Sequence, residues 1–181
     1  MSKLNEKVAL ITGGSRGIGA AIARRLAADG ASVAITYAKE ASAASAVVKA
    51  IELSGGKAVA IQADAADVEA VTGAVEKTVA TFGRLDVLVN NAGTAIPKTF
   101  EETTLDEMDR VIDINVRGTL VATQAALKHM KPGGRIIMIG SSVGERVLVP
   151  GLVAYSATKG RGEDVQSGVV QRSREPGHHG Q

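Results

Sequence analysis

Tyr155 and Lys159 stand four residues apart, so on a helix both side chains share one face. An ammonium beside a phenol favours the phenolate and draws an ordinary pKa of about 10 downward. A phenol tuned in this way can give a proton to a carbonyl oxygen that receives hydride. A second group of residues, Thr12-Gly13-Gly14-Ser15-Arg16-Gly17-Ile18-Gly19, separates an apolar run from a helical pattern. Glycines there allow a tight turn and bring backbone close to a phosphate. A helix N-terminus adds unpaired N–H groups and the positive end of its dipole. The spacing G-x3-G-x-G departs from the G-x-G-x-x-G dinucleotide pattern. Ala20 stands where a P-loop carries Lys-Ser/Thr, which disfavours a nucleotide triphosphatase.

The end of the second apolar run should meet the adenosine ribose of a dinucleotide held by that turn. Tyr37 stands there, with no Asp or Glu before Glu40. An acid would bond the ribose 2′-hydroxyl, whereas basic groups suit a 2′-phosphate. Arg16 and Lys39 are near enough in sequence to supply them, although they also read as two solvated surface charges. NADP is the expected cofactor, with NAD the alternative.

These groups need a frame. Val8-Ala9-Leu10-Ile11 has the pattern of a buried strand, and Ile18, Ile22 and Leu26 follow at helical spacing. Residues 33–37, 43–53 and 58–61 read as strand, helix and strand. Val68, Val71, Val75, Val79 and Phe82 form the clearest helical stripe. Val87-Leu88-Val89 leads into Asn90-Asn91-Ala92-Gly93. A long helix is expected over 105–129, a fifth strand over 135–139, and a last helix opening near Tyr155. The alternation implies an α/β fold with a mostly parallel sheet and helices on both faces.

Composition narrows the function classes. Apolar residues make up 45% and charged residues 22% of the 181, enough to bury a core. Without cysteine there are no disulfides, thiolate metal sites or cysteine nucleophiles. Aromatic content of 2% leaves no stacking platform for single-stranded nucleic acid, and a net charge of +2 gives no argument for a nucleic-acid partner. No apolar run approaches the ~20 residues of a membrane helix. Met1 to Lys7 lacks the apolar stretch of a signal peptide, so a cytoplasmic protein is expected.

In combination, the glycine turn, Asn90-Asn91-Ala92-Gly93, a serine after the fifth strand and Tyr155-x3-Lys159 occur in order. From Lys7 to Gly160 the chain resembles the short-chain dehydrogenase/reductase family, most closely its 3-oxoacyl-carrier-protein reductase-like members. The resemblance implies a Rossmann-type doubly wound sheet and an NADP-dependent exchange of hydride with a carbonyl or alcohol substrate. It implies that Gly13, Ser15, Arg16, Ile18 and Gly19 hold the pyrophosphate and adenosine side, and that Asp64 meets the adenine. Asn91, Ala92 and Gly93 would line the cofactor. Asn115 would hold a water in a proton relay to Lys159, or be a buried Asn satisfied by backbone. Tyr155 would be the general acid/base, and Lys159 would bond the nicotinamide ribose and tune Tyr155. The family's usual spacing to the tyrosine selects Ser142, whereas the register of the fifth strand selects Ser141. We take Ser141. Intact members of the family are usually tetramers.

After Gly160 the resemblance stops. The family continues with a longer helix, a sixth strand, a substrate lobe and a seventh strand, and residues 161–181 match none of these. They are expected to be a non-native or disordered tail beside a domain of residues 1–160 that carries the first five strands. A one-nucleotide shift through a permitted set of codons for 161–181 reads Ala-Val-Lys-Met-Tyr-Ser-Gln-Gly-Leu-Ser-Arg-Glu-Val-Gly-Ser-Arg-Gly-Ile-Thr-Val, an amphipathic helix and a strand. A frameshift after Gly160 is therefore expected. It would leave the fifth strand on a sheet edge and the helix of Tyr155 short. The alternative to an oxidoreductase is then an inactive fragment that at most binds nucleotide.

Overall fold

The computed structural model describes residues 3–145 and 151–160. The expectations for 161–181 lie outside the described residues. Strands β1 (Val8–Ile11), β2 (Ser32–Tyr37), β3 (Lys57–Gln62), β4 (Val87–Asn90) and β5 (Arg135–Met138) form one parallel sheet in the order β3-β2-β1-β4-β5. Strand order reverses beside β1, which pairs with β2 on one side and β4 on the other. In sheets of this kind ligands bind outside the carboxyl ends of the strands at that reversal.

β1 is buried along its whole length because helices cover both faces of the sheet. The two-residue period divides the strands between two cores. Leu10, Ala34 and Leu88 face α3 (Val68–Phe82) and α5 (Gly118–Leu127) through Val71, Val75, Ala122 and Ala126. Ala9, Ile11, Val33, Ile35 and Val89 face α1 (Gly17–Ala28) and α2 (Ala41–Leu53) through Ala20, Ala23, Val47 and Ile51. Each fully buried Leu, Ile or Val stabilises the fold by about 1.5–3 kcal/mol.

Three elements differ from the sequence expectation. The close face of α1 is Gly19, Ala20 and Ala23, not the stripe of Ile18, Ile22 and Leu26. Small residues let that helix approach the sheet. Ile22 and Leu26 pack at the margin, and Ile18 is 62% exposed. The expected long helix is three pieces. α4 (Leu105–Ile112) runs into one π-helical turn, Asp113–Arg117, and then into α5. In that turn the Thr119 hydroxyl donates to the Asn115 carbonyl at 3.1 Å. Single π turns inside helices are frequent at functional sites. Lastly, β5 ends at Met138, although the Ile139 N–H still donates to the Asn90 carbonyl at 3.0 Å.

Among the described residues β5 is an edge strand, with Arg135 and Ile137 exposed. Beyond it come a short 3-10 turn, Ser142–Gly144, and the last described helix, α6 (Val153–Lys159). No helix among the described residues is long and apolar enough to cross a membrane.

Candidate functional site

The glycine turn sits where strand order reverses, and four side chains or backbone groups fix its shape. Gly13 adopts φ +64°, a conformation that favours glycine. Its N–H donates to the Thr36 hydroxyl at 3.0 Å, and the Gly14 N–H donates to the Thr36 carbonyl at 2.9 Å. The Asn91 amide donates to the carbonyls of Thr12 and Gly13 at 2.9 and 3.0 Å. Thr12 returns the tie, its hydroxyl accepting from the Asn91 and Ala92 N–H groups at 3.0 Å each. A Cβ on Gly19 would lie 2.5 Å from both Asn91 Nδ2 and the Gly13 carbonyl oxygen, so glycine lets α1 begin this close to the turn. Arg16 occupies the N-cap position of α1 without a side-chain capping bond. The first N–H groups of the helix can therefore take an anion.

A cleft of about 610 Å³ opens over this turn. Its lining contains Gly13, Ser15, Arg16, Ile18, Gly19, Tyr37, Asp64, Asn91, Ala92 and Gly93, ten of the residues singled out from sequence. That volume lies in the range of cofactor sites, about 300–1,000 Å³. Turn, uncapped helix and cleft together fit a dinucleotide. Lys39 lines the same cleft, as does Arg110, whose guanidinium donates to both oxygens of Asp64 at 3.0 and 2.7 Å. Burial alone would raise the Asp64 pKa. The Arg110 and Ala66 hydrogen bonds and the Arg110 and Lys39 charges outweigh it and hold the carboxyl below 3.8.

Tyr155, Lys159 and Ser141 lie outside that lining. Gly93 joins the two regions: a Cβ on it would stand 3.4 Å from Asn115 Oδ1 and 3.9 Å from Lys159 Nζ. The Lys159 ammonium lies 5.8 Å from the centroid of the Tyr155 ring. It donates to the Ile139 carbonyl at 2.9 Å. Burial holds its pKa below 10.5.

One residue past Lys159's anchor at Ile139 comes Gly140, then Ser141, whose side chain accepts from the Val143 N–H at 3.3 Å. The Ser156 hydroxyl donates to the Val143 carbonyl at 2.6 Å. α6 is thus fastened on both sides of Ser141. Ser141 is half-buried and Ser142 exposed. Asn115 is buried in the π turn. Its Oδ1 accepts from the Thr94 N–H at 2.8 Å, and its amide donates to the Thr94 carbonyl and the Thr158 hydroxyl, both at 2.9 Å. It ties the segment after Gly93 to α6.

Residues 7–169 match the short chain dehydrogenase family, and the chain belongs to it. It is 51% identical over 176 residues to an uncharacterized oxidoreductase of Methylorubrum extorquens, spanning 97% of this chain and 70% of that one. It is 46% identical over 156 residues to a hydroxynaphthalene reductase of Aspergillus fumigatus, spanning 86% of this chain and 57% of the relative. Among solved structures, a short chain dehydrogenase from Burkholderia cenocepacia in complex with NADP superposes with a TM-score of 0.91. The identity is 50%, over 94% of this chain and 69% of that one.

Four residues of the site escaped the sequence reading. Thr36 and Arg110 carry no local pattern, because each finds its partner on another element, Gly13 and Asp64 respectively. Thr158 acts through Asn115, on another element. Thr104 had a signal: Thr104-x-x-Glu107 is a capping box, present in both halves at 3.2 and 3.0 Å, and it marks where α4 begins.

Proposed function

We propose that this protein is an NADP-dependent oxidoreductase that reduces a ketone to an alcohol, or runs the reverse. The observation that supports the reading is the close approach of the glycine turn to Ala92 and of Gly93, in the cleft lining, to Lys159 of α6. Gly13, Ser15, Ile18 and Gly19 would hold the pyrophosphate side, with Asn91, Ala92 and Gly93 along the cofactor. Tyr37 and Asp64 would flank the adenosine, and Arg16 and Lys39 would take the 2′-phosphate. The NADP complex of the Burkholderia relative supports that cofactor.

Bound NADPH would supply the hydride. The Tyr155 hydroxyl would give its proton to the substrate oxygen, and Ser141 would donate a hydrogen bond that steadies the same oxygen. Lys159 would bond the ribose next to the nicotinamide and keep positive charge beside Tyr155. Asn115 would hold the relay water to Lys159, since its Oδ1 and Lys159 Nζ both approach Gly93. As substrate we propose a ketone of the 3-oxoacyl or polyphenolic type, the second supported by the hydroxynaphthalene reductase relative. The exposed apolar side chains Leu105, Ile112, Leu120 and Leu127 would serve a homo-oligomer. We propose a cytoplasmic setting without nucleic-acid or membrane partners.

Loss of NADPH absorbance with a 3-oxoacyl thioester or a hydroxynaphthalenone, followed beside calorimetric NADPH binding, tests this. Turnover abolished by Tyr155→Phe, with binding retained, is expected. A second reading, binding without turnover, draws on the cleft lining that stops at Thr94 and Ile114 short of Tyr155. Binding with no turnover of either substrate supports that reading, and absence of binding contradicts both.

A further inference from the structure

We propose that Arg110 is a specificity-determining positioning residue: by holding the Asp64 carboxylate it keeps Lys39 available for the 2′-phosphate of the dinucleotide. The inference rests on the NADP reading above. β2 and β3 pair in register from Ser32↔Lys57 to Tyr37↔Gln62. Just past the strand ends the Ala63 N–H still donates to the Tyr37 carbonyl at 2.9 Å, and the Gln62 side-chain amide donates to the Ala38 carbonyl at 3.2 Å. Carried two positions past Tyr37↔Gln62, that register would set Lys39 opposite Asp64, and the Lys39 charge is close enough to act on the Asp64 carboxyl. A lysine facing a carboxylate across neighbouring strands would ordinarily pair with it.

Here the carboxylate is already engaged. The Arg110 Nη2 contacts both oxygens, and the Ala66 N–H donates to Oδ1 at 3.0 Å. Arg110 reaches Asp64 from α4, across 46 positions of sequence, and its side chain is 44% exposed at the cleft rim. Charges lining the cleft are Arg16, Lys39 and Arg110 against Glu40 and Asp64. Removing Arg110 would balance the signs and free Asp64 both to capture Lys39 and to repel a phosphate. A phosphate dianion senses that change far more than a ribose hydroxyl does, so the effect must appear in the choice between NADPH and NADH.

Dissociation constants of NADPH and NADH, measured by calorimetry on the full chain, test this with Arg110→Gln, Asp64→Asn and the double variant. In Arg110→Gln the affinity for NADPH is expected to fall about tenfold relative to NADH, a selectivity change of ~1.4 kcal/mol. The double variant should regain most of that selectivity, because no carboxylate then competes for Lys39. Equal weakening of both nucleotides in Arg110→Gln, or no recovery in the double variant, overturns the proposal and makes the ion pair a structural tie. An unchanged ratio overturns it too. Failure of the unsubstituted chain to bind either nucleotide instead overturns the functional reading, so the two failures are distinguishable.

Discussion

The ammonium of Lys159 donates to the main-chain carbonyl of Ile139 at 2.9 Å. This bond joins α6, a helix of seven described residues, to the end of the edge strand β5. A helix so short has little stability of its own. The placement of Tyr155 therefore depends on this bond and on the Ser156 hydroxyl that donates to Val143.

The same lysine gives the protein a pH signature. Burial holds its folded pKa below 10.5, so between that folded value and 10.5 the unfolded chain binds the extra proton. Stability then rises with pH across this interval, and the cost of burying the charge is relieved. Thermal melts across the alkaline range should show that rise, and Lys159→Met should remove it. Identical slopes in the two proteins would mean the ammonium is not desolvated in solution.

Thr12 should matter more than its size suggests. Its hydroxyl is the acceptor for the Asn91 and Ala92 N–H groups, and it is itself buried. Thr12→Val keeps the shape and strands both half-buried donors, each at the lower end of the about 1–3 kcal/mol that a buried group without a partner costs. Urea unfolding should register a loss of about 2 kcal/mol or more, with Thr12→Ser close to the parent. A loss below about 0.5 kcal/mol would show that water replaces the hydroxyl.

Two glycine substitutions should move stability in opposite directions. Gly19→Ala forces a methyl against Asn91 Nδ2 and the Gly13 carbonyl, a form of overpacking that costs about 1–3 kcal/mol. NADPH binding should fall with it. Gly73 lies within α3 and has open space where its Cβ would go. Gly73→Ala should stabilise the chain by about 0.5–1 kcal/mol. Chemical denaturation of both variants checks the pair, and a neutral Gly19→Ala would contradict the described geometry of the turn.

Much of the frame was legible because it is written in local periods. The five strands announce themselves by apolar runs such as Val8–Ile11, and α3 by its stripe of Val71 and Val75. Where small residues do the packing the signal misleads. The apolar spacing of Ile18, Ile22 and Leu26 drew attention away from Gly19, Ala20 and Ala23, which make the contact. The π turn at Asp113–Arg117 left no mark in the sequence: the bonds made there, Thr119 to the Asn115 carbonyl and the Asn115 side chain to the Thr94 backbone, are tertiary or off-pattern contacts. Arg110 and Asp64 meet only once strand order and register are set. Motif residues could be named in advance, but the side chains that hold them could not.

The position of the nicotinamide end of a bound dinucleotide tests the assignment of Tyr155 and Lys159 most directly. Amide resonances of the isotope-labelled chain can be followed during titration with NADPH and, separately, with adenosine 2′-phosphate, which lacks the nicotinamide. Both ligands should shift residues of the glycine turn from Gly13 to Gly19, and NADPH alone should also shift Tyr155 and Lys159. A response of the turn to NADPH with Tyr155 and Lys159 unmoved would contradict the assignment of that pair to the reacting end.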